Sequence, residues 1–154
     1  MASGFDISRA TVEQVSLVAP LYDAYRQFYE QPSDIDLAIR FLTERLSKEE
    51  SVVLLARETE DGTPDGFVQL FPSFTSVAAN CIWILNDLFV DPSFRRRGLA
   101  RALMNAAKAF AESTGAVRIG LMTAHTNTQA QSLYESLGYV MDTDFRSYNL
   151  SLRA

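Results

Sequence analysis

The residues with the clearest potential for chemistry lie between two predicted elements in the middle of the chain. An apolar run from Trp83 to Val90 predicts a strand, and a helical pattern of apolar residues begins at Leu99. Between them stand Arg95-Arg96-Arg97 and then Gly98. The first N–H groups of a helix lack backbone partners and carry positive dipole charge, and a glycine lets a ligand oxygen approach the backbone. The spacing therefore predicts a phosphate site, with a pyrophosphate as the expected guest.

The sequence excludes two common kinds of pyrophosphate site. A P-loop needs a lysine and a serine or threonine directly after its last glycine, whereas Gly98 is followed by Leu99 and Ala100. A dinucleotide-binding fold needs glycines in the pattern G-x-G-x-x-G, and only the single Gly98 is present in this loop. The loop therefore belongs to another kind of phosphate site.

A second group of residues with potential for chemistry lies on a helix predicted from Asn127 to Leu137. Asn127 and Tyr134 are two helical turns apart, so they share one face, and the small Ala130 between them leaves space. A tyrosine hydroxyl can donate a proton to a leaving group. The alternative interpretation is an amphipathic helix with a buried tyrosine.

Together the two stretches resemble the GNAT (GCN5-related N-acetyltransferase) superfamily, over roughly residues 82–140. The coenzyme A loop of that family reads Arg/Gln-x-x-Gly-x-Gly/Ala after a strand that ends in Val-x-Pro. The residues that match it are Val90, Pro92, Arg95, Gly98 and Ala100. The second family motif, Asn-x-x-Ala-x-x-Leu/Phe-Tyr-x-x-x-Gly-Phe/Tyr, is similar to residues 127–139. The chain looks most like the diamine- and histone-acetylating branch.

The resemblance implies an acetyl-CoA-dependent N-acetyltransferase that moves an acetyl group directly to a primary amine in a ternary complex. The implied acceptor is a small polyamine-like amine or a lysine-type side chain. The resemblance places Tyr134 beside the thioester sulfur as the catalytic acid. The implied coenzyme-binding residues are Leu88, Phe89, Val90, Arg95, Arg96, Arg97, Gly98, Leu99, Ala100, Arg101, Asn127 and Tyr134. The alternative function is a non-catalytic acyl-CoA sensor on the same fold.

The general base is left open by the sequence. Similar family members often carry Glu-Asp where this chain has Asn86 and Asp87, and an amide cannot accept the proton. Asp87 is one candidate, because in a regular strand it would share a side with Trp83 and Phe89, and apolar neighbours raise a carboxyl pKa. A structural carboxylate that orders the strand is the equal alternative. His125, the only histidine, is a further candidate as a base or a substrate contact.

The acceptor pocket is predicted near the junction of the first two helices. Two tyrosines and an acid in that region are candidates for shaping an amine pocket. The full set of candidate substrate-binding residues is Tyr25, Tyr29, Glu30, Asn86 and His125. The alternative is that the tyrosines form a packed aromatic stripe beside a solvated acid.

The elements that position these residues predict an α/β fold. Their order is β, α, α, three β, α, β, α, two β, within a single domain of residues 1–154. The expected sheet is GNAT-like, mixed and mostly antiparallel, flanked by helices, with splayed central strands and a coenzyme A cleft. Ser33 is the predicted N-cap of the second helix. Residues 147–152 are the predicted last strand and a candidate contact in a homodimer.

Composition limits the remaining possibilities. The 154 residues are 47% hydrophobic and 21% charged, as in ordinary soluble domains. A net charge of -5 argues against nucleic-acid binding through bulk electrostatics. No apolar run reaches the ~18 residues of a membrane span, and no secretory signal is visible. Cys81 is the only cysteine, which favours a reducing, cytoplasmic location; no metal site is predicted.

Overall fold

The computed structural model describes residues 4–95 and 98–153. The chain forms two compact units, Met1–Met122 and Thr123–Ala154. They are called the first and the second unit below. None of the described helices combines the length and the apolar character needed to span a bilayer.

The first unit contains a sheet and three helices. Its elements, in chain order, are β1 (Asp6–Arg9), α1 (Val15–Phe28), α2 (Ile35–Ser47), β2 (Val52–Arg57), β3 (Gly66–Thr75), β4 (Asn80–Val90), α3 (Leu99–Ser113) and β5 (Ile119–Gly120). Short 3-10 turns, Val12–Gln14 and Pro92–Phe94, lead into α1 and α3. The second unit contains α4 (Thr128–Ser136).

The five strands form one sheet in the order β1-β2-β3-β4-β5. The strands from β1 to β4 pair antiparallel as a meander, and β5 pairs parallel to β4 after the crossover through α3. This is the predicted mixed and mostly antiparallel sheet. Every residue of β2 is buried, as expected of a central strand that is covered on both faces.

Helices cover the two faces of this sheet. Val18 of α1 and Leu42 of α2 are fully buried in one cluster with Phe67 of β3 and Phe89 of β4. The helix α3 packs on β2, β3 and β4 from the other face. Its buried residues are Leu99, Leu103, Met104, Ala107 and Ala111. Burial of these apolar side chains is the main stabilising term for the three layers.

Gly66, the first residue of β3, marks a close approach between α3 and the sheet. A Cβ atom at this position would lie 3.0 Å from the carbonyl oxygen of Phe89 and 3.2 Å from Cδ1 of Leu103. Glycine is therefore favoured here, because any side chain would crowd the backbone of Phe89 and the helix α3. Because Gly66 has no side chain, α3 can pack closely against the start of β3 and the end of β4.

The start of α2 differs from the prediction. The N-cap residue is Asp34, whose side chain accepts a hydrogen bond from the backbone N–H of Leu37 at 3.0 Å. Ser33 instead donates its hydroxyl to Oδ2 of Asp23 in α1, at 2.7 Å. The prediction of Ser33 as the cap was wrong because a buried acid on the neighbouring helix takes its hydroxyl.

The predicted last strand is also wrong. The described residues that follow α4 form no helix or strand, and Tyr148, Leu150 and Leu152 are exposed. Their alternation with polar residues is typical of a strand, but a strand exists only when another backbone pairs with it. The strand predicted after α3 is real but short, because only Ile119 and Gly120 pair with β4.

Candidate active site

A β-bulge interrupts β4 in the middle of the sheet. Gln69 of β3 pairs with Asp87, and the next residue, Leu70, pairs with Leu85. Asn86 is therefore an extra residue on β4 with no partner position on β3. Bulges of this kind change which face of the sheet the following side chains occupy, and they are common beside active sites.

The bulge separates Trp83 from Asp87. The ring of Trp83 packs on Phe110 of α3, with centroids 5.0 Å apart, and its Nε1–H donates to Oγ1 of Thr114 at 2.9 Å. Phe89, two residues after Asp87, instead contacts Tyr25 of α1. The expectation that Trp83 would lie beside Asp87 was wrong, because it assumed regular alternation along the strand.

Asp87 is held by amide donors and buried. Only 3% of its surface is exposed. Nε2 of Gln69 donates to Oδ2 of Asp87, and Nδ2 of Asn86 donates to Oδ1 at 3.0 Å. Burial raises the pKa of Asp87 above its usual value, although the hydrogen bond from Gln69 opposes this rise. The site therefore contains a carboxylate with increased basicity, as a general base requires.

Two tyrosines of α1 border this carboxylate. The hydroxyl of Tyr25 donates to the backbone carbonyl of Asn86 at 3.3 Å. Burial, and then the charge of Asp87, raises the pKa of Tyr25 and of Tyr22. Both phenols therefore stay protonated over the physiological range and act as hydrogen-bond donors.

These side chains line a cavity of about 300 Å³ between the two helices and the sheet. A cavity at the lower end of the usual range for ligand sites suits a small molecule. The lining residues are Tyr22, Tyr25, Arg26, Tyr29, Gln31, Phe41, Phe71, Asn86 and Asp87.

Four residues predicted for the site, Tyr25, Tyr29, Asn86 and Asp87, are brought together in this cavity. Glu30 is exposed, adopts a positive φ of 64°, and is not among the lining residues. Arg26, which lies on α1 one turn before Glu30, also lines the cavity but was not predicted from the sequence. Its spacing of four residues from Tyr22 was the available signal.

The loop after β4 is where the sequence predicts a phosphate site. Gly98 is the N-cap of α3 and adopts φ 79°, which glycine tolerates without strain. Gly98 has no side chain that could accept hydrogen bonds from the backbone N–H groups of the first turn, which includes Leu99 and Ala100. A Cβ at Gly98 would meet no described atom within 4 Å, so the space in front of the helix end is open. This positive, accessible helix end fits a pyrophosphate.

The predicted arginines of this loop have different positions. Nε of Arg95 donates to the carbonyl oxygen of Val90 at 3.1 Å, and its guanidinium lies 5.6 Å from the ring centroid of Phe89. Arg95 therefore ties the loop to the end of β4. Arg96 and Arg97 lie outside the described residues, and Arg101 is exposed on α3.

Beside the loop, β4 has a free backbone edge, as the predicted splay of the central strands requires. The pairing of β4 with β5 consists of Trp83 with Ile119 and Ile84 with Gly120. Beyond Ile84, β4 continues to Val90 without a further β5 partner among the described residues. This edge, which includes Leu88 and Phe89, can pair with amide groups of a ligand.

In the second unit, Asn127 is the N-cap of α4, and its side chain accepts a hydrogen bond from the backbone N–H of Ala130 at 3.2 Å. Tyr134 is half-buried, with its ring 6.0 Å from that of Tyr139. His125 is exposed, and its carbonyl accepts a hydrogen bond from Gln131 Nε2 at 3.1 Å. Asn127 therefore has at least a structural role as a helix cap.

Metal chemistry has no candidate residues in the part of the chain that the structure describes. No group of three or more histidine, cysteine or acidic side chains is arranged to hold an ion there.

Comparison with known proteins gives the class of the protein. The model of the acetyltransferase (GNAT) family matches residues 18–139. The chain is 45% identical to the uncharacterized N-acetyltransferase YhfO of Bacillus subtilis (strain 168), over 97% of this chain and 99% of the relative. The protein therefore belongs to the acetyltransferase (GNAT) family, and it is an acyltransferase.

Solved structures agree with this assignment. The crystal structure of a probable acetyltransferase superposes with a TM-score of 0.91 at 40% identity, covering 97% of this chain and 99% of that chain. The aminoglycoside N-acetyltransferase AAC(6')-Iy, solved in complex with CoA, shares the fold, with a TM-score of 0.78 at 21% identity over 95% and 94% of the two chains.

Proposed function

We propose that this protein is an acetyl-CoA-dependent N-acetyltransferase that moves an acetyl group directly to a primary amine in a ternary complex. The observation that carries the proposal is the position of Asp87. It is a buried carboxylate of raised pKa in a cavity suited to a small molecule, on the strand that leads into the Gly98 loop.

Acetyl-CoA supplies the activated acetyl thioester. The backbone N–H groups at Gly98, Leu99 and Ala100 are proposed to hold the pyrophosphate, because the helix end is positive and the space in front of Gly98 is open. The free edge of β4, from Leu88 to Val90, is proposed to pair with the amides of the pantetheine arm.

Asp87 is the proposed general base. A primary amine of the lysine type has a pKa of about 10.4, so it arrives as an ammonium and must lose a proton before it can attack. The carboxylate of Asp87 accepts that proton, directly or through a water. Gln69 and Asn86 orient the carboxylate through hydrogen bonds to its two oxygens.

Tyr134 is the proposed donor of a proton to the departing thiolate. The support for this role is its match to the tyrosine of the second family motif. Asn127 is proposed as a contact of the pantetheine arm on the same ground. His125 remains a candidate substrate contact, and Asp87 is preferred as the base because its burial and donors suit that role.

The proposal is tested by thermal denaturation with acetyl-CoA and by thiol release against a panel of amines. At one hundred times the dissociation constant, the ligand should add ~2.7 kcal/mol to the free energy of unfolding. A thermal shift together with amine-dependent thiol release supports the proposal. No shift would contradict the assignment of the coenzyme site, and a shift without release would contradict the enzymatic role on the amines tested.

We also propose a homodimer, supported by the exposed apolar side chains after α4. These are Val140, Met141, Phe145, Tyr148, Leu150 and Leu152. A second copy of the chain would bury them. Light scattering on the purified protein tests this, and a monomer at micromolar concentration would contradict it.

The cytoplasmic location stays a prediction.

A further inference from the structure

The acceptor cavity contains two opposite charges that are not paired with each other. Among its lining residues, Asp87 is the one carboxylate and Arg26 the one guanidinium. The oxygens of Asp87 accept hydrogen bonds from Gln69 and Asn86. No ion pair or hydrogen bond joins Arg26 to Asp87 in the described part of the chain.

Arg26 has no hydrogen-bonding acceptor among the described residues, and its Nη1 atom is buried. The acid nearest to it on α1 is Asp23, whose pKa is lowered first by its hydrogen bond with Ser33 and partly by the charge of Arg26. The oxygens of Asp23 are used by other donors, which are Gln27, Ser33 and the backbone N–H of Asp34. A guanidinium with five N–H donors is thus left at the cavity wall without an anion bonded to it.

Tyr22 lies within electrostatic range of both charges. After burial, the charge of Asp87 raises the pKa of its phenol and the charge of Arg26 lowers it. The effects on the pKa of Asp87, in contrast, come from burial and from hydrogen bonds with Gln69, Tyr25 and Asn86. The cavity wall that includes Tyr22 therefore carries both a carboxylate, Asp87, and a guanidinium, Arg26.

We propose that the acceptor of this enzyme is an amino acid, or a similar small molecule with both an amine and a carboxylate. Its ammonium lies at Asp87 and its carboxylate is bound by the guanidinium of Arg26. This inference rests on the proposed function and names its substrate class. A guanidinium binds a carboxylate through two parallel N–H donors, a geometry that lysine cannot provide. A polyamine would place its second ammonium against Arg26, where like charges repel.

The experiment compares acceptors that differ only in the carboxylate. Thiol release from acetyl-CoA is measured with two sets of amino acids. The first set contains both enantiomers of the α-amino acids, and the second contains ω-amino acids of two to six carbons. Each is matched with the amine that lacks the carboxylate, such as cadaverine for lysine. We expect kcat/KM to favour at least one amino acid over its matched amine by about tenfold to hundredfold, the range for a hydrogen-bonded charge.

The variant Arg26→Gln tests the residue. We expect it to raise KM for the preferred amino acid about tenfold or more, with little change in kcat, and to cause no such loss with the matched amine. For a diamine such as cadaverine, kcat/KM should rise, because the like charge of Arg26 is removed. Arg26→Lys should recover only part of the lost affinity. The control is Arg40→Gln, an exposed arginine of α2 outside the cavity lining, which should behave like the wild type.

Some results would refute the amino-acid inference alone, and another would refute the proposed function as well. Equal or better transfer to the amines without a carboxylate, or an equal loss for both acceptors in Arg26→Gln, would refute the inference alone. Transfer to none of the acceptors would refute the inference and the proposed function together. Activity of Arg26→Gln with the matched amine shows that the variant is folded.

Discussion

Gln69 donates a hydrogen bond from its side-chain amide to the carboxylate of Asp87, at the step where the pairing of β3 with β4 is interrupted. The two residues are partners across the strands, and both are buried. The bulge at Asn86 and the fixed amide therefore set the position of the carboxylate in the cavity. In the proposed role of Asp87 as general base, these fixed donors mean that the carboxylate need not reorganise when the amine binds.

Replacing Asp87 by asparagine should reduce turnover by about 10²-fold or more, because an amide cannot accept the proton of the amine. In the wild type, kcat/KM should rise with pH as Asp87 ionises at its raised pKa. The variant should lose this rise. The measurement is the pH profile of thiol release at saturating acetyl-CoA, and an unchanged profile would assign Asp87 a structural role.

The same variant should be more stable than the wild type at pH 7. Because burial raises the pKa of folded Asp87, ionisation opposes folding as the pH increases through that value, and the neutral asparagine avoids this cost. The difference should disappear below the unfolded pKa of about 3.9. Chemical denaturation at several pH values measures it.

Asp23 provides a control of opposite sign for that stability measurement. Its hydrogen bond with Ser33 holds its pKa below the usual value. The stabilisation is present at neutral pH and is lost as the pH falls through the lowered pKa of folded Asp23. Asp23→Asn should therefore destabilise the protein at pH 7, and stabilisation by this variant would contradict the arrangement described at the start of α2.

Gly98→Trp should abolish coenzyme binding, because the indole would fill the open space in front of α3. Gly98→Ala should weaken binding and destabilise the fold by about 1–2 kcal/mol, the cost of a side chain in left-handed backbone. The measurement is the thermal shift produced by acetyl-CoA.

Gly115 is a matched control for both substitutions. Its φ of 78° equals that of Gly98 within one degree, and a Cβ there also meets no described atom within 4 Å. Gly115→Ala and Gly115→Trp should therefore carry a similar backbone cost but leave coenzyme affinity unchanged. Equal loss of affinity at the two glycines would mean that strain, and not obstruction of a ligand site, explains the result.

Tyr134→Phe should reduce kcat by about 10²-fold and leave coenzyme affinity within a factor of about two, because it removes only the hydroxyl that is proposed to donate the proton. The neighbouring Tyr139→Phe removes a hydroxyl from the same aromatic pair and should retain activity. Single-turnover thiol release and coenzyme titration separate the two effects. Normal turnover in Tyr134→Phe would exclude Tyr134 as the acid.

Asp34→Ala should cost about 1 kcal/mol of the free energy of unfolding, as expected for loss of an N-cap. Ser33→Ala should remove the bond to Asp23 and leave the cap of α2 intact. Urea denaturation of the two variants measures both effects. Equal helix content and stability in Asp34→Ala and the wild type would contradict the capping role.

The fold and the open helix end after β4 were predictable because their signals are local. The order of elements up to α4, the antiparallel meander and the crossover through α3 follow from periodicity and loop length. The open helix end at Gly98 follows from one glycine between a strand and a helix. The tyrosines at Tyr25 and Tyr29 were also placed correctly in the cavity, because a helix fixes which residues share a face.

The details that create the cavity depend on partners distant in the chain. The bulge at Asn86 is set by the register against Gln69, and no feature of the run from Trp83 to Val90 shows an extra residue. The prediction that Trp83 lies beside Asp87 was wrong for this reason. Ser33 resembles a helix cap until Asp23 is brought beside it by the packing of α1 on α2.

The close contact at Gly66 indicates which face of the sheet tolerates substitution less well. A Cβ there would lie 3.0 Å from the carbonyl oxygen of Phe89 and 3.2 Å from Cδ1 of Leu103, so these neighbours would have to move by a few tenths of an ångström. On the opposite face of the sheet, the side chain of Arg26 on α1 makes no hydrogen bond to any described residue. Redesign toward new acceptors is therefore best directed at α1 and α2, where a substitution does not change the contact between Gly66 and α3.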